Sequence, residues 1–260
     1  MLSVLGPGVG FARRLTSDCR IRASLPVLRV VVMNAKGGCG KTTVAINLAS
    51  YCVAQGMKAT LFDFDPQASS TYWLNRRPSD LPSIHGVAAF RPPQQGVTRA
   101  WQLRVPASTR YVITDTPAGY HSLNMEDRVA ESDVIIVPIL PSAIDIQSTA
   151  DFIRDLLLVG RARAMNKQVA IVVNRARLRT KAFEKLERFI QSLDIPVIGR
   201  IRDTQLYVHA AEQGIGVNEL EERAADQDRQ CWGGILDWLE ARERETVRPA
   251  GQLAYALPFA

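Results

Sequence analysis

The sequence predicts an α/β domain with a doubly wound, mostly parallel sheet, and three observations carry that expectation. Short β-branched runs alternate with helix-period segments over about 220 residues, the pattern of strand–helix–strand units. The runs are apolar almost throughout, as strands covered on both faces must be. The chain has 260 residues and 47% hydrophobic content, enough for one sizeable core. Disorder as the main state is thereby excluded. No apolar run approaches the roughly 20 residues that a membrane span needs.

Residues 1–26 carry three Gly, two Pro and four Arg without a sustained period and read as a flexible leader. The apolar part precedes the arginines, the reverse of a secretory signal. From Val27 to Asn34 the run VLRVVVMN predicts a buried strand ending in a glycine-rich turn, and a helix should follow from Lys41 to about Gln55 with Ala45, Leu48, Ala49 and Cys52 inward. A strand is predicted at Ala59 to Phe62, then a polar, proline-rich stretch from Arg76 to Gln95. Tyr111–Asp115, Asp133–Leu140, Gln168–Asn174 and Pro196–Ile201 read as four further strands. Helical spacing appears at Ser142–Val159 and at Thr180–Leu193, the latter through Phe183, Leu186, Phe189, Ile190 and Leu193. A last helix is predicted from about Ala224 to Glu245, packing Trp232, Ile235, Leu236 and Leu239, and residues 246–260 read as a flexible tail. The domain itself should span 27–245. Trp73, Trp101, Trp232 and Trp238 are assigned to the core by default.

Cys19, Cys39, Cys52 and Cys231 form no CxxC or CxC pair, so they read as reduced thiols of a cytoplasmic protein, not a disulfide framework or a zinc cradle. His85, His121 and His209 stand far apart, outside metal-ligand spacing. Net charge is +6, but residues 161–202 hold eleven basic side chains against three acidic ones, so the rest of the chain sums to −2. A positive field concentrated in one stretch suits a phosphate backbone, and equally a solvated face with ordinary ion pairs. The tail has Pro249, Pro258 and one Arg, and lacks the cationic face of a membrane-surface helix.

The most informative segment is NAKGGCGKTT, Asn34 to Thr43, between a buried strand and a helix. In a phosphate-binding loop Gly37, Gly38, Cys39 and Gly40 let backbone N–H groups converge on phosphates. Lys41 reaches the β- and γ-oxygens, the Thr42 hydroxyl ligates magnesium, and Thr43 continues the helix start. The strict G-x-x-x-x-G-K-[ST] pattern fails at its first glycine, here Ala35, and an additional lysine, Lys36, stands in the loop.

With that loop the chain resembles the deviant Walker A ATPases of the ParA/MinD type. The resemblance covers about Leu28 to Glu240 and rests on KGGCGKTT (36–43), FDFDPQASST (62–71), VITDTPAG (112–119), VPILPSAID (137–145) and VVNRARLRT (172–180), in that order. It implies a P-loop fold, bound ATP and Mg2+, and ATP hydrolysis in a homodimer that sandwiches two nucleotides. Lys36 then corresponds to the lysine that reaches phosphates in the partner protomer, where it neutralises charge developing on the leaving phosphoryl group. Asp65 matches the carboxylate that orients the attacking water, Asp63 the one near the magnesium shell, and Asp115 the acid that holds a metal-bound water. Asn174, with Arg175 beside it, matches the asparagine that reads the adenine edge.

In the DNA-binding branch of this family, arginines after the late strands hold duplex DNA without sequence choice. Arg200, Arg202 and Arg223 fall near those positions, and Arg177, Arg179, Lys181 and Lys185 would extend the patch. A Pro-Arg pair common in the family is Gly199-Arg200 here. The implied activity is a small, single-domain ATPase, nucleoid-associated and without stable membrane association. A cargo-linked adaptor would stimulate its hydrolysis to segregate or position a plasmid, a carboxysome or another protein complex. The alternatives are a MinD-like membrane-cycling division regulator and a soluble ATP-dependent ligase of metabolism on the same fold.

Overall fold

The computed structural model describes residues 27–119, 122–177 and 180–247, with only the backbone given for 122–124, 143–145 and 245–247. Residues 1–26 and 248–260, expected as leader and tail, lie outside the described residues. The elements follow one another as β1 (Leu28–Val32), α1 (Lys41–Ala54), β2 (Ala59–Asp63), α2 (Ser69–Asn75), β3 (His85–Ala88), α3 (Arg99–Gln102), β4 (Tyr111–Asp115), α4 (Ser122–Ala130), β5 (Val134–Ile139), α5 (Ala143–Leu158), β6 (Gln168–Ala176), α6 (Lys181–Gln191), β7 (Val197–Arg202), α7 (Leu206–Glu212) and α8 (Asp226–Val247). The seven strands form one sheet in the order β3-β2-β4-β1-β5-β6-β7, with every pairing parallel.

Alternation along β1 shows why its run is apolar throughout. Val30 and Val32 enter one core with Leu48, Ile113 and Trp232, while Val31 and Met33 enter a second with Ile135, Phe152 and Leu156. Helices α1 and α8 cover the first face; α4, α5 and α6 contribute to the second. The hydroxyl of Thr180 caps α6 by accepting from the Phe183 N–H at 3.2 Å, which turns Phe183, Leu186 and Ile190 inward. Trp232, Ile235, Leu236 and Leu239 form the buried stripe of α8, as their spacing predicts. Gly199 on β7 lets α8 approach closely: a Cβ there would stand 2.7 Å from Ile235 Cδ1.

The stretch 76–95 is not merely a connection. It contains β3, an edge strand whose residues HGVA are mostly solvent-facing and too few to register as a β-branched run. The short helices α2, α3, α4 and α7 also escape the periodicity reading. Of the four tryptophans, Trp73 and Trp232 are buried and Trp238 packs partly against the core. Trp101 departs from the expectation: it is 61% exposed on α3, a four-residue helix that buries none of its residues.

Trp232→Ala should therefore lower the unfolding free energy by about 3–5 kcal/mol, and Trp101→Ala should change it by less than about 0.5 kcal/mol, both read by urea denaturation.

Candidate functional site

The parallel register brings three strand ends together at the carboxyl edge of the sheet. Val32 pairs with Asp115 on one side of β4 and Asp63 pairs with Asp115 on the other. The glycine-rich loop leaving β1 therefore lies over the ends of β4 and β2, the place where an open α/β sheet presents a ligand crevice.

The loop is fastened from both ends. Asn34 is buried; its Nδ2 donates to the Pro138 carbonyl at 2.8 Å and its Oδ1 accepts from the Lys36 N–H at 3.0 Å. Gly38 and Gly40 take positive φ of 73° and 100°, which lets the chain turn into α1. Gly40 occupies the N-cap position and no side chain caps the helix, so its first N–H groups face the loop's concavity. The Lys41 ammonium lies inside that concavity, donating to the Lys36 carbonyl at 2.9 Å. Main-chain donors and a buried ammonium around one hollow are chemistry for a polyphosphate.

Beneath the loop, Asp115 is fully buried, and neither of its carboxylate oxygens accepts a hydrogen bond among the described residues. Burial pushes its pKa up to about 7; the nearby Thr42 and Ser70 hydroxyls counter this, while Asp63 and Asp65 add to it. Asp63 is fully engaged. Its Oδ1 accepts from the Asp65 N–H at 3.0 Å, and its Oδ2 accepts from the Thr71 N–H at 2.9 Å and the Thr71 hydroxyl at 2.7 Å. Asp63 thus holds the 65–71 segment, on which Asp65 Oδ1 accepts from the Gln67 N–H at 2.9 Å and is left partly exposed.

A cleft of about 620 Å³ opens beside Thr42 and Thr43 and is lined by Asn174, Arg175, Thr204 and Tyr207 among others. Asn174 meets the loop directly. Its Nδ2 donates to the Cys39 carbonyl at 3.0 Å, its Oδ1 accepts from the Arg175 N–H at 2.9 Å, and a Cβ on Gly40 would lie 2.0 Å from Nδ2. Arg175 holds a left-handed backbone, φ 49°, at a register irregularity between β6 and β7. Such strained non-glycine positions cluster at functional sites.

The basic residues divide. Lys181, Lys185 and Arg223 are exposed, and with Arg188 the two lysines form one face of α6. Arg177 pairs with Asp203, and Arg200 with Glu187, both near the surface. Arg202 pairs at 2.6 Å with Asp228, whose side chain is 1% exposed and also accepts from the Tyr207 hydroxyl at 3.1 Å. Arg179 and the side chain of Asp145 lie outside the described residues.

Asn34 and Thr71 are positioning residues that residue-by-residue reading missed, as it missed the buried Ser70 hydroxyl near Asp115. Ser70 and Thr71 stand inside FDFDPQASST, so the motif contained them without assigning them work.

Comparison with known proteins agrees with this geometry. The CobQ/CobB/MinD/ParA nucleotide-binding domain matches residues 30–217. The chain belongs to this family. The carboxysome distribution protein A of Halothiobacillus neapolitanus is 27% identical over 224 residues, covering 82% of this chain and 99% of that protein. The solved structure of apo McdA from Cyanothece has a TM-score of 0.63 at 17% identity, covering 81% of this chain and all of that one. MinD of Pyrococcus horikoshii, solved with Mg-ADP, has a TM-score of 0.60 at 16% identity and covers 87% and 98%. A seven-stranded parallel sheet with flanking helices is thus the fold of this family here.

The raised Asp115 pKa fixes a pH dependence. A buried carboxyl that titrates near 7 opposes folding once it must ionise, so its cost grows as pH rises from about 4 to about 7 and then stays constant. In the absence of metal and nucleotide, Asp115→Asn should gain thermal midpoint over the parent chain progressively across that window, and the gain should be level above it.

Proposed function

We propose that the chain is an ATPase that dimerises around bound ATP, holds duplex DNA without sequence choice in that state, and positions a cargo through a partner that stimulates hydrolysis. The observation that carries the nucleotide part is the buried Asp115 carboxylate beside Thr42, which accepts no hydrogen bond among the described residues, directly under a loop in which the Lys41 ammonium is held by a neutral carbonyl. An orphaned buried charge of this kind is costly unless a cation completes it. Among the described residues no three His, Cys, Asp or Glu converge as metal ligands. Mg2+ therefore fits as an ion held by Thr42, by Asp115 through water, and by the nucleotide's own oxygens.

In this reading Mg2+ supplies charge neutralisation on the phosphates. Lys41 leaves the Lys36 carbonyl to bind phosphate oxygens, and Lys36 reaches the nucleotide of the partner protomer. Asp65, on a segment tied down by Asp63, orients water for in-line attack. Asn174 and Arg175 form the wall on which the base rests. DNA would lie over the α6 face of Lys181, Lys185 and Arg188, extended by Arg177, Arg179, Arg200 and Arg223. Arg202, committed to Asp228, braces β7 against α8 beneath that surface. The cargo reading draws support from the likeness to carboxysome distribution protein A across nearly all of that protein's length; nucleoid association follows from DNA binding.

The test is binding to random-sequence duplex DNA without nucleotide, with ADP, and with ATP plus Mg2+, over a salt series and with anionic liposomes in parallel. Binding should require ATP and weaken steeply with salt; Lys181→Glu with Lys185→Glu should flatten the salt slope by about 2 while leaving ATP binding intact. Lys41→Ala should lose ATP binding, and Asp65→Ala should stay on DNA because hydrolysis stalls. Nucleotide-independent DNA binding would overturn the switch, and liposome binding without DNA binding would move the chain to the membrane-cycling class.

A further inference from the structure

A second basic surface lies at the opposite edge of the sheet from α6. No Asp or Glu occurs anywhere between Asp80 and Asp115, whereas Arg91, Arg99, Arg104, Arg110 and His85 fall in that stretch. Arg99 is consumed internally: its guanidinium donates to the Ala89 and Arg91 carbonyls and stacks over Phe64. Arg110 pairs with buried Glu243. Arg91 and Arg104 are exposed and make no ion pair among the described residues, Arg91 lying over the Phe90 ring.

These two arginines line a groove of about 730 Å³ whose floor is the whole of β3, His85 to Ala88, and whose far wall carries Trp101. Among the described residues β3 ends the sheet, and no strand neighbours one side of its backbone. Trp101 is 61% exposed, as is Tyr72, and it lines this groove without contributing to either core. The strand edge supplies main-chain hydrogen bonds, Gln102 Nε2 occupying only the Ala88 carbonyl at 3.4 Å; an exposed indole supplies apolar contact, and arginines without an ion-pair partner supply charge.

We infer that this groove docks an extended, acidic peptide segment of a partner protein, which adds to β3 as an edge strand with its carboxylates against Arg91 and Arg104. A second copy of the chain is the poorer occupant, because edge-to-edge pairing would set one acid-free basic groove against another. Duplex DNA is poorer too, because the groove follows a single strand edge and offers only two arginines, its remaining lining mixing Pro92, Val97, Val105 and Pro106 with the uncharged Gln94 and Gln102. The position also matters for the nucleotide site: Ala88 pairs with Asp63, and the Phe90 N–H donates to the Asp63 carbonyl at 2.9 Å. The docking itself is independent of whether the chain hydrolyses ATP.

The experiment uses the full chain and a fluorescein-labelled decapeptide of alternating valine and glutamate, followed by anisotropy at low and high salt. A lysine-for-glutamate peptide and a peptide with two central prolines serve as controls. The glutamate peptide should bind, weaken with salt, and lose about tenfold in affinity with Arg91→Glu plus Arg104→Glu and several-fold with Trp101→Ala. The proline peptide should bind at least about tenfold more weakly, because it cannot complete the strand pairing. Basal ATP turnover and DNA binding of these variants should match the parent chain, which separates this result from the proposed ATPase reading. Absence of glutamate-peptide binding, equal binding of the proline peptide, or unchanged affinity in the variants would overturn the inference. Loss of DNA binding in the arginine variants would reassign the groove to nucleic acid, and loss of self-association would reassign it to a second copy.

Discussion

The carboxylate of Asp115 sits at the end of the central-left strand with Asp63 one strand away and the glycine loop above it, and no hydrogen bond from the described residues satisfies it. A buried ionised carboxylate without partners is among the costliest arrangements a domain can hold, and burial accordingly pushes its pKa up to about 7. The sheet retains it because β4 is locked between β1 and β2 in a five-residue parallel register on each side, leaving the side chain nowhere to go. The surrounding groups can be understood as consequences. Thr42 and Ser70 lie where a hydroxyl can offset the charge, and the proposed Mg2+ would supply the rest of the compensation.

The loop above is preorganised by its own atoms. Asn34 ties its start to β5 through the Pro138 carbonyl, Asn174 ties its end to β6 through the Cys39 carbonyl, and Lys41 bonds the Lys36 carbonyl across the hollow. Two of these ties are side-chain amides, one reaching from the loop to a β5 carbonyl and one from β6 to a loop carbonyl, so the hollow keeps its shape without a ligand. The lysine bond differs in kind. It satisfies a buried ammonium with a neutral carbonyl, a weaker partner than phosphate, and exchange of one for the other is therefore favourable.

Six of the seven strands are legible in the sequence because central parallel strands must be apolar on both faces, and β-branched runs such as VIIVPI have no other soluble use. β3 is illegible for the same reason inverted: an edge strand of four residues with His85 and Gly86 facing solvent carries no burial signal. The short helices α2, α3 and α7 have four to seven residues, fewer than two full turns, so a 3.6 period has no room to repeat. At the site, Lys41 and Thr42 stand out in the sequence through the loop pattern, and Lys36 and Asp115 through the family resemblance; the fold brings Thr42 and Asp115 together. Asn34, Ser70 and Thr71 do not stand out, because their work depends on strand register and on a turn that only the folded chain brings into place.

Charge counting shows the same boundary between what composition can and cannot say. The window 161–202 has an excess of eight positive charges, yet its members do unlike things once folded. Lys167 donates to the Ala130 and Ser132 carbonyls at the end of α4, and Arg202 answers buried Asp228. Reversing Arg202 would leave buried Asp228 facing a second, partly exposed carboxylate, a loss of stability that would mimic a DNA-contact phenotype without being one. Lys181 and Lys185 make no ion pair among the described residues, so their field reaches solvent within a Debye length of about 8 Å, offset only by exposed Glu184 beside them. The acid-free stretch 81–114 has fewer cations than that window, but Arg91 and Arg104 are both exposed and unpaired among the described residues. What a charged surface can attract is set by the cations the fold leaves without partners, and that number is fixed by packing, not by the sequence total.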